Sequence, residues 1–500
     1  MRLAKRLAGV FLCVASGVPA ISQTNSGDAD LAAAVRELQA EVRELRSAVR
    51  ELREESVHYR EETARLRQQI EREAAPQSGA VAAAGGNTAT TEERLTALED
   101  DHELLKSKVD EQYQTKVESA SKYRVRLSGI VLLNAFSNRG NLDNIDVPSM
   151  AVPRTPFSTS GSLGATLRQS QIGFEVFGPT LAGARTSADV QLDFAGGFSG
   201  DPQTGFASGL VRLRTGAAHL DWDRFSIIAG QDTFFVAPNS PTSFASLAIP
   251  AMSYSGNLWT WVPQIRMEYR LNTSEQSRFT FQAGVLDALT GEAPVSDYVR
   301  PPTAGESSRA PAVAARIAWS RRAFGRDLTI GGASYFSRQD WGLGRTVNAW
   351  AGMSDWLLPL SSWLRLSGAF YRGEALGGLA GGVGQTVLFG GDPANPSSSI
   401  RGLRTMGGWT QLKFIAAPKL EFNAAVGQDN PFARDFHGAV ATQEGSEPLL
   451  ARNRSALINT VYRPRSDVLL SVELRRFQTY GLVGRPDSAN QVNLAMGFLF

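Results

Sequence analysis

The sequence predicts an all-β transmembrane antiparallel barrel of about sixteen strands, preceded by an α-helical coiled coil. Three observations carry this. In the last ten residues, Val492, Leu494, Met496, Phe498 and Phe500 fall on one face of an extended chain. Gln491, Asn493, Ala495 and Gly497 fall on the other, with Leu499 the one apolar exception. An oily face, a polar face and a terminal aromatic suit the closing strand of a barrel set in lipid. Beyond the first 22 residues, no stretch approaches eighteen apolar residues, so any membrane crossing must be made by strands. Finally, long and short connections between the candidate strands tend to alternate, as they do in barrels with short turns at one end and long loops at the other.

The chain begins with a secretory pattern over 1–22. Arg2, Lys5 and Arg6 precede an apolar run from Leu7 to Val18, followed by small residues at Ala20 and Ser22. Cys13, the only cysteine, falls within that segment, so the mature chain is expected to hold no disulfide and no cysteine metal site. Over 23–75 the apolar spacing is four, three, four, three through Leu31, Val35, Leu38, Val42, Leu45, Val49 and Leu52. That is a heptad seam with Val at a and Leu at d. Forty such residues would reach roughly 60 Å at about 1.5 Å each. Ser56, Tyr59 and Thr63 weaken the seam before Leu66 and Ile70 resume it. A flexible linker follows over 76–90 (PQSGAVAAAGGNTAT), then a second, shorter coiled segment over 91–121 built on Leu95, Leu98, Leu105 and Val109. A regular seam would leave its leucines wet in a lone helix, so an oligomerisation stalk is expected. Val at a with Leu at d leans toward two helices, whereas barrel packing could impose three, and the heptads leave that open.

Residues 122–500 form the barrel segment. Candidate strands lie at 123–133, 167–177, 187–194, 209–222, 225–231, 263–271, 278–285 and 312–319, then at 327–336, 347–353, 363–372, 406–414, 419–427, 453–462, 467–476 and 491–500. Period-2 alternation is clear in Gln264, Arg266, Glu268 and Arg270 against Ile265, Met267, Tyr269 and Leu271. It recurs in Ser471, Glu473 and Arg475 against Leu470, Val472 and Leu474. Asp223–Arg224, 272–277, 320–326, 415–418 and 463–466 are short connections, whereas 134–166, 232–262, 286–311, 373–405 and 428–452 are long. The contrast is weakest around 337–362. An even-stranded barrel entered from the short-turn side has both the coil and Phe500 on the periplasmic side.

Charge divides unevenly along the chain. Residues 1–121 are net acidic, and 122–500 are net basic, with Lys122, Lys413 and Lys419 the only cations there that are not arginine. If the oily faces meet lipid, the alternate positions line the interior. Arg212, Arg214, Arg266, Arg270, Arg316 and Arg365 are the pore-lining, anion-selecting candidates, with Arg124, Arg126, Arg278 and Arg475 on the same face. Arginine keeps its charge in a confined space and grips a carboxylate or phosphate with two parallel hydrogen bonds. The competing reading is a set of Arg–acid pairs that brace the wall. The excess of arginine over Asp189, Asp193, Glu268, Glu421 and Glu473 tilts the set toward anion preference.

Connection 232–262 is too apolar for a solvated loop, with Phe234, Phe235, Leu247, Ile249, Trp259 and Trp261. It is expected to fold into the lumen as a constriction rather than to pack at a subunit interface. The glycine-rich run 373–384 (GEALGGLAGGVG) lacks the Lys and Ser or Thr of a phosphate cradle, has no following helix, and reads as loop. His58, His102, His219 and His437 are dispersed, and neither metal spacing nor a Ser, His and Asp grouping is present. No catalytic residue, metal site, cofactor or nucleic-acid partner is expected.

Several segments resemble porins of Gram-negative outer membranes, the DcaP-like group especially, with the phosphate-selective porins a more distant likeness. They are LRQSQIGFEVFGP (167–179), VQLDFAGG (190–197), RFSIIAGQDTFF (224–235), VPQIRMEYR (262–270) and the terminal NLAMGFLF. The resemblance implies a homotrimeric porin in outer-membrane lipid, with its coiled coil in the periplasm, passing small and often anionic solutes such as dicarboxylates. Matched by position, Arg212, Arg214, Arg266 and Arg270 would be its wall arginines. The scarcity of lysine departs from a lysine-lined phosphate path, and a trimer contrasts with the dimer-leaning heptads. A second function class is a structural anchor, in which the barrel only holds a coil that tethers the cell wall or an inner-membrane partner. Asp28 to Leu31 leave no room for a wall-binding module ahead of that coil.

Overall fold

The computed structural model describes residues 116–117, 123–198, 209–292, 299–442 and 448–500. The expected signal segment, both coiled segments and the linker therefore lie outside the described residues, except for a two-residue strand, Lys116–Val117, that pairs with Val125 and Arg126.

Sixteen antiparallel strands close into a barrel. They are β1 (Arg124–Arg139), β2 (Gly161–Thr166 and Gln171–Phe177), β3 (Arg185–Asp193), β4 (Arg212–Asp221), β5 (Phe225–Thr233), β6 (Trp261–Ser274), β7 (Ser277–Leu286) and β8 (Ala312–Ala323). The second half comprises β9 (Arg326–Asp340), β10 (Thr346–Pro359), β11 (Leu364–Glu374), β12 (Arg404–Ala417), β13 (Leu420–Pro431), β14 (Leu450–Arg465), β15 (Val468–Gly481) and β16 (Asp487–Leu499). Each strand pairs with its sequence neighbour. The ring closes where β1 meets β16, in register from Ile130↔Leu499 to Arg139↔Asn490. Gly129 and Phe500 complete the seam by exchanging backbone hydrogen bonds of 2.8 and 3.1 Å. Glycine is required there, because a Cβ at 129 would lie 2.5 Å from the Gln171 carbonyl oxygen and 2.7 Å from the Phe500 ring.

Every candidate strand of the sequence corresponds to one of these sixteen, with different ends. The 167–177 strand is corrected most. β2 begins earlier, at Gly161, and breaks at 167–170, where a turn closed by the Ser170 amide on the Leu167 carbonyl points Gln169 inward. Except for β4, which is shorter than the expected 209–222, the strands otherwise run longer than the alternation suggests, mostly at the long-loop end: β1 reaches Arg139, β9 reaches Asp340 and β15 reaches Gly481. Outward positions there turn polar (Arg338, Arg372, Arg454, Arg476), so hydropathy alternation fades while the backbone ladder continues. Around 337–362, where long and short connections were hardest to tell apart, both are short: 341–345 and 360–363.

Outward side chains of the mid-strand belt are large and apolar. Ile265, Met267, Leu494, Met496 and Phe498 are each about half exposed, an arrangement stable against acyl chains and costly against water. The inward face is mostly polar or small, with Leu132, Val461, Leu469, Trp409 and Phe477 as buried apolar exceptions. A core lies inside the barrel, where Phe234, Phe235, Val236 and Leu258 pack on Tyr335 and Val347 of the wall.

Candidate functional site

Among the described residues several loops turn inward, 140–160 among them, and two carry most of the contacts across the lumen. The first, 234–260, connects β5 to β6 and crosses the lumen as the sequence led us to expect. Its backbone is held by inward polar side chains from widely separated strands. Gln169 accepts from the Leu247 and Ala248 amides at 2.7 and 3.1 Å and donates to the Ala245 carbonyl at 3.1 Å. Asn134 on β1 donates to the Phe244 carbonyl, and Asn459 on β14 to the Thr242 carbonyl, each at 2.8 Å. On β12, Gln411 accepts from the Thr242 amide at 2.6 Å. Arg475 on β15 donates to Ser243 and Ser246 at 2.9 and 3.2 Å while pairing with Glu473 at 2.6 Å. Gly256 (φ +98°) touches the opposite wall so closely that a Cβ would lie 2.3 Å from the Gly408 carbonyl oxygen.

The second inward loop, 375–403, connects β11 to β12 and includes the glycine-rich run that reads as plain loop from sequence. Leu376, Leu379, Val387 and Phe389 join the core formed by Phe234 and its neighbours. The Val383 amide donates to Asp429 on β13 at 2.7 Å, and the Trp259 amide donates to the Leu379 carbonyl at 3.2 Å, tying the two loops together. A weaker signal was available in Leu376, Leu379, Val387, Leu388 and Phe389, although this loop is less apolar than 232–262 and far richer in glycine. A cavity of about 360 Å³ lies among these loops, lined by Tyr254, Trp259, Gly378, Ala380, Gln385 and Leu450.

The six candidate arginines divide into three arrangements. Arg212 and Arg214 share one carboxylate, Asp193 on β3, at 2.7 and 2.9 Å. Both also donate to the inward loop, Arg212 to the Ala248 carbonyl at 2.7 Å and Arg214 to the Leu247 carbonyl at 2.8 Å, and both guanidiniums lie over the Trp261 ring. Two residues apart, they share the inward face as alternation predicts; what sequence periodicity does not reveal is a bulge at Arg214 that turns Thr215 inward directly behind it. Gln191 pairs with Thr215 and Leu192 with Leu213, which leaves Arg214 as an extra residue. Such a bulge re-aims a side chain, and here Arg212, Arg214 and Thr215 all meet inward groups.

Arg266, Arg270 and Arg316 are instead matched one to one: Arg266 with Asp232 at 2.6 Å, Arg270 with Glu268 at 2.8 Å, and Arg316 with Asp355 at 2.8 Å. Arg316 is the most enclosed of these, gripping both carboxylate oxygens of Asp355 and donating to Gln282 at 3.2 Å. Arg365 stands opposite Lys413 in the β11–β12 register, and among the described residues it makes no ion pair. For Arg266, Arg270 and Arg316, the geometry is the wall-bracing arrangement weighed against anion selection above. Arg168 on the β2 break pairs with Asp146 at 2.8 Å, holding loop 140–160 to the same region. In that loop, burial raises the Asp143 carboxyl above its ordinary range, although it accepts from the Ser149, Met150 and Asn144 amides. His219 on β4 lies 2.7 Å from Asp189. Among the described residues, no group of three or more His, Cys, Asp and Glu side chains is arranged to hold a metal ion.

No family model matches the sequence, and no curated protein matches it. Among solved structures, the chain is similar to the outer membrane channel DcaP of Acinetobacter baumannii, at 16% identity over 77% of this chain and 99% of that one, with a TM-score of 0.56. An anion-selective porin from Comamonas acidovorans aligns at 12% identity over 76% of this chain and 100% of that one, with a TM-score of 0.48. With a lipid-compatible outer belt, a polar inner wall and a loop folded across the lumen, the chain has the barrel fold of the outer-membrane porins, in the sixteen-stranded form similar to the DcaP channel.

Proposed function

We propose that this protein is a passive diffusion channel of the outer membrane for small hydrophilic solutes, with a preference for anions such as dicarboxylates, working as a homotrimer with its coiled coil in the periplasm. The observation that carries the reading is the trio Arg212, Asp193 and Arg214. Two guanidiniums answer one carboxylate beside the loop that narrows the lumen, leaving a positive charge there. The Asp193 side chain is fully enclosed, whereas about a quarter of Arg212 remains exposed, so the positive group is the one a solute meets. In a confined aqueous passage, that asymmetry lowers the energy of an anion and raises that of a cation. Arg365 adds a second unmatched charge on the same inner face. Arg266, Arg270 and Arg316 contribute less net field, because each stands against its own acid.

Planar-bilayer recording across a salt gradient tests this. The wild-type channel is expected to show a reversal potential on the anion side, and the Arg212→Gln/Arg214→Gln double variant to move it toward or past the unselective value. A reversal potential that does not move between the two would remove this trio from selectivity. A barrel that is silent in bilayers would favour the anchor reading instead.

A further inference from the structure

The outer wall between β12 and β16 is hollowed. Thr410, Ala424 and Ala456 present short side chains, while Leu412, Ile458 and Leu474 stand up around them, enclosing about 650 Å³. A second hollow of about 450 Å³ lies alongside, over Gly408, Phe370 and Met406. Both are apolar along their length and end in arginine on the long-loop side, the first at Arg476 and Asn490, the second at Arg454, Gln428 and Asn430.

These two arginines differ from those inside the barrel. Arg475, one residue from Arg476, faces inward, buried against Glu473. Arg476 faces outward and is exposed, and neither it nor Arg454 has a carboxylate partner among the described residues. The register sets Arg454 opposite Gln478 and Ala456 opposite Arg476, so the two guanidinium-bearing residues are diagonal neighbours across β14 and β15, roughly 7 Å apart at their backbone. Arg454 donates twice to the Gln428 side-chain oxygen, at 3.0 and 2.8 Å, which orients the guanidinium without neutralising it. The outward neighbours at this height include Gln428, Asn430, Gln478 and Asn490, all uncharged, and a third guanidinium, that of Arg452, donates to Asn430 at 2.8 Å.

Two adjacent unneutralised guanidiniums at the top of an apolar trough match one kind of occupant, which has hydrocarbon chains below and a phosphate above. Arginine can hold a phosphate through paired N–H donors while its methylene stem runs along apolar surface. We infer that the outer face of β12–β16 is a binding site for a phosphorylated lipid of the external leaflet, with acyl chains in the hollow over Ala424 and Ala456 and the phosphate held by Arg454 and Arg476. Single outward arginines recur along this rim at Arg338 and Arg372; what sets this face apart is that its arginines are adjacent and stand above a trough of short side chains. This site lies on the opposite side of the wall from the selectivity trio, so its test does not depend on conduction.

The test is native mass spectrometry of the full-length protein in detergent, titrated with bisphosphorylated lipid A, its dephosphorylated counterpart, or inorganic phosphate. The wild-type chain is expected to retain the phosphorylated lipid in preference to the dephosphorylated one. Arg454→Gln/Arg476→Gln should weaken the phosphorylated lipid by about tenfold or more and leave the dephosphorylated one unchanged. Ala456→Phe, which fills the trough on a lipid-facing position, should weaken both. Equal affinity of wild type and double variant for the phosphorylated lipid would overturn the inference. So would displacement of the lipid by an equimolar amount of inorganic phosphate, which would mark a site for the free ion. A change in the mass of the protein assembly in place of lipid occupancy would assign the face to contact between copies of the chain and overturn it as well.

Discussion

At the scale of single residues, the charged side chains of the inner wall fall into two kinds according to how completely each is matched. Arg316 and Asp355 are almost fully enclosed and satisfy one another, so their worth lies in mutual compensation rather than in charge offered to a solute. Removing one partner strands the other in a poorly solvated site. Arg316→Ala is therefore expected to destabilise the barrel by about 3–5 kcal/mol, whereas Arg316→Met combined with Asp355→Leu should cost far less. Denaturant unfolding monitored by the heat-modifiable gel shift of the folded barrel checks this, and equal losses in the single and double variants would contradict it. At positions 212 and 214 the matching is incomplete, because two inward guanidiniums two residues apart meet a single acid, Asp193, next to a bulge at Arg214. The sequence places those residues in a strand of the right composition. It does not disclose the bulge, since adding one residue to a short polar-apolar pattern leaves hydropathy nearly unchanged.

At the scale of elements, the inward loops fill part of the lumen, and polar side chains of the wall hold them. Loop 234–260 is legible in advance because Phe234, Phe235 and Trp259 would be costly in water. Which wall residues receive it is not legible, since Gln169, Asn134, Gln411 and Asn459 come from distant parts of the chain and look like ordinary inner-face polar residues. Gln169 holds three backbone groups of the loop, so it is the most concentrated of these anchors. Gln169→Leu should leave those groups without partners and loosen the loop, giving larger or noisier single-channel conductance from a barrel that still folds. Conductance steps identical to wild type would mean the remaining anchors hold the loop without it. The break in β2 belongs to the same account, because continuing the strand through 167–170 would carry Gln169 in ladder register instead of under the loop.

At the scale of the whole molecule, closure of β1 on β16 removes the edges of the barrel sheet except along the β1 overhang, where Lys116–Val117 pairs with Val125 and Arg126, so the ring itself needs little of the preceding segments to satisfy its backbone. Deleting residues 23–121 is accordingly expected to leave conductance intact and to lower the stability of the oligomer, read by native gel on heating. Loss of all conductance would show that the coil is more than an accessory stalk. The sequence by itself determined an oily belt on one face, about sixteen strands with fourteen or eighteen also open, their order, and the tendency of short turns to alternate with longer loops. Those features are local: a period of two is written residue by residue, and neighbouring strands pair with neighbours in the chain. Only the tertiary structure decided which arginines are matched, where the bulge and the β2 break fall, that the glycine-rich loop also turns inward, and that an outward hollow ends in two guanidiniums with no carboxylate partner among the described residues. These depend on which side chains meet across the lumen or across strands, and such meetings between residues hundreds of positions apart leave no periodic trace in the chain.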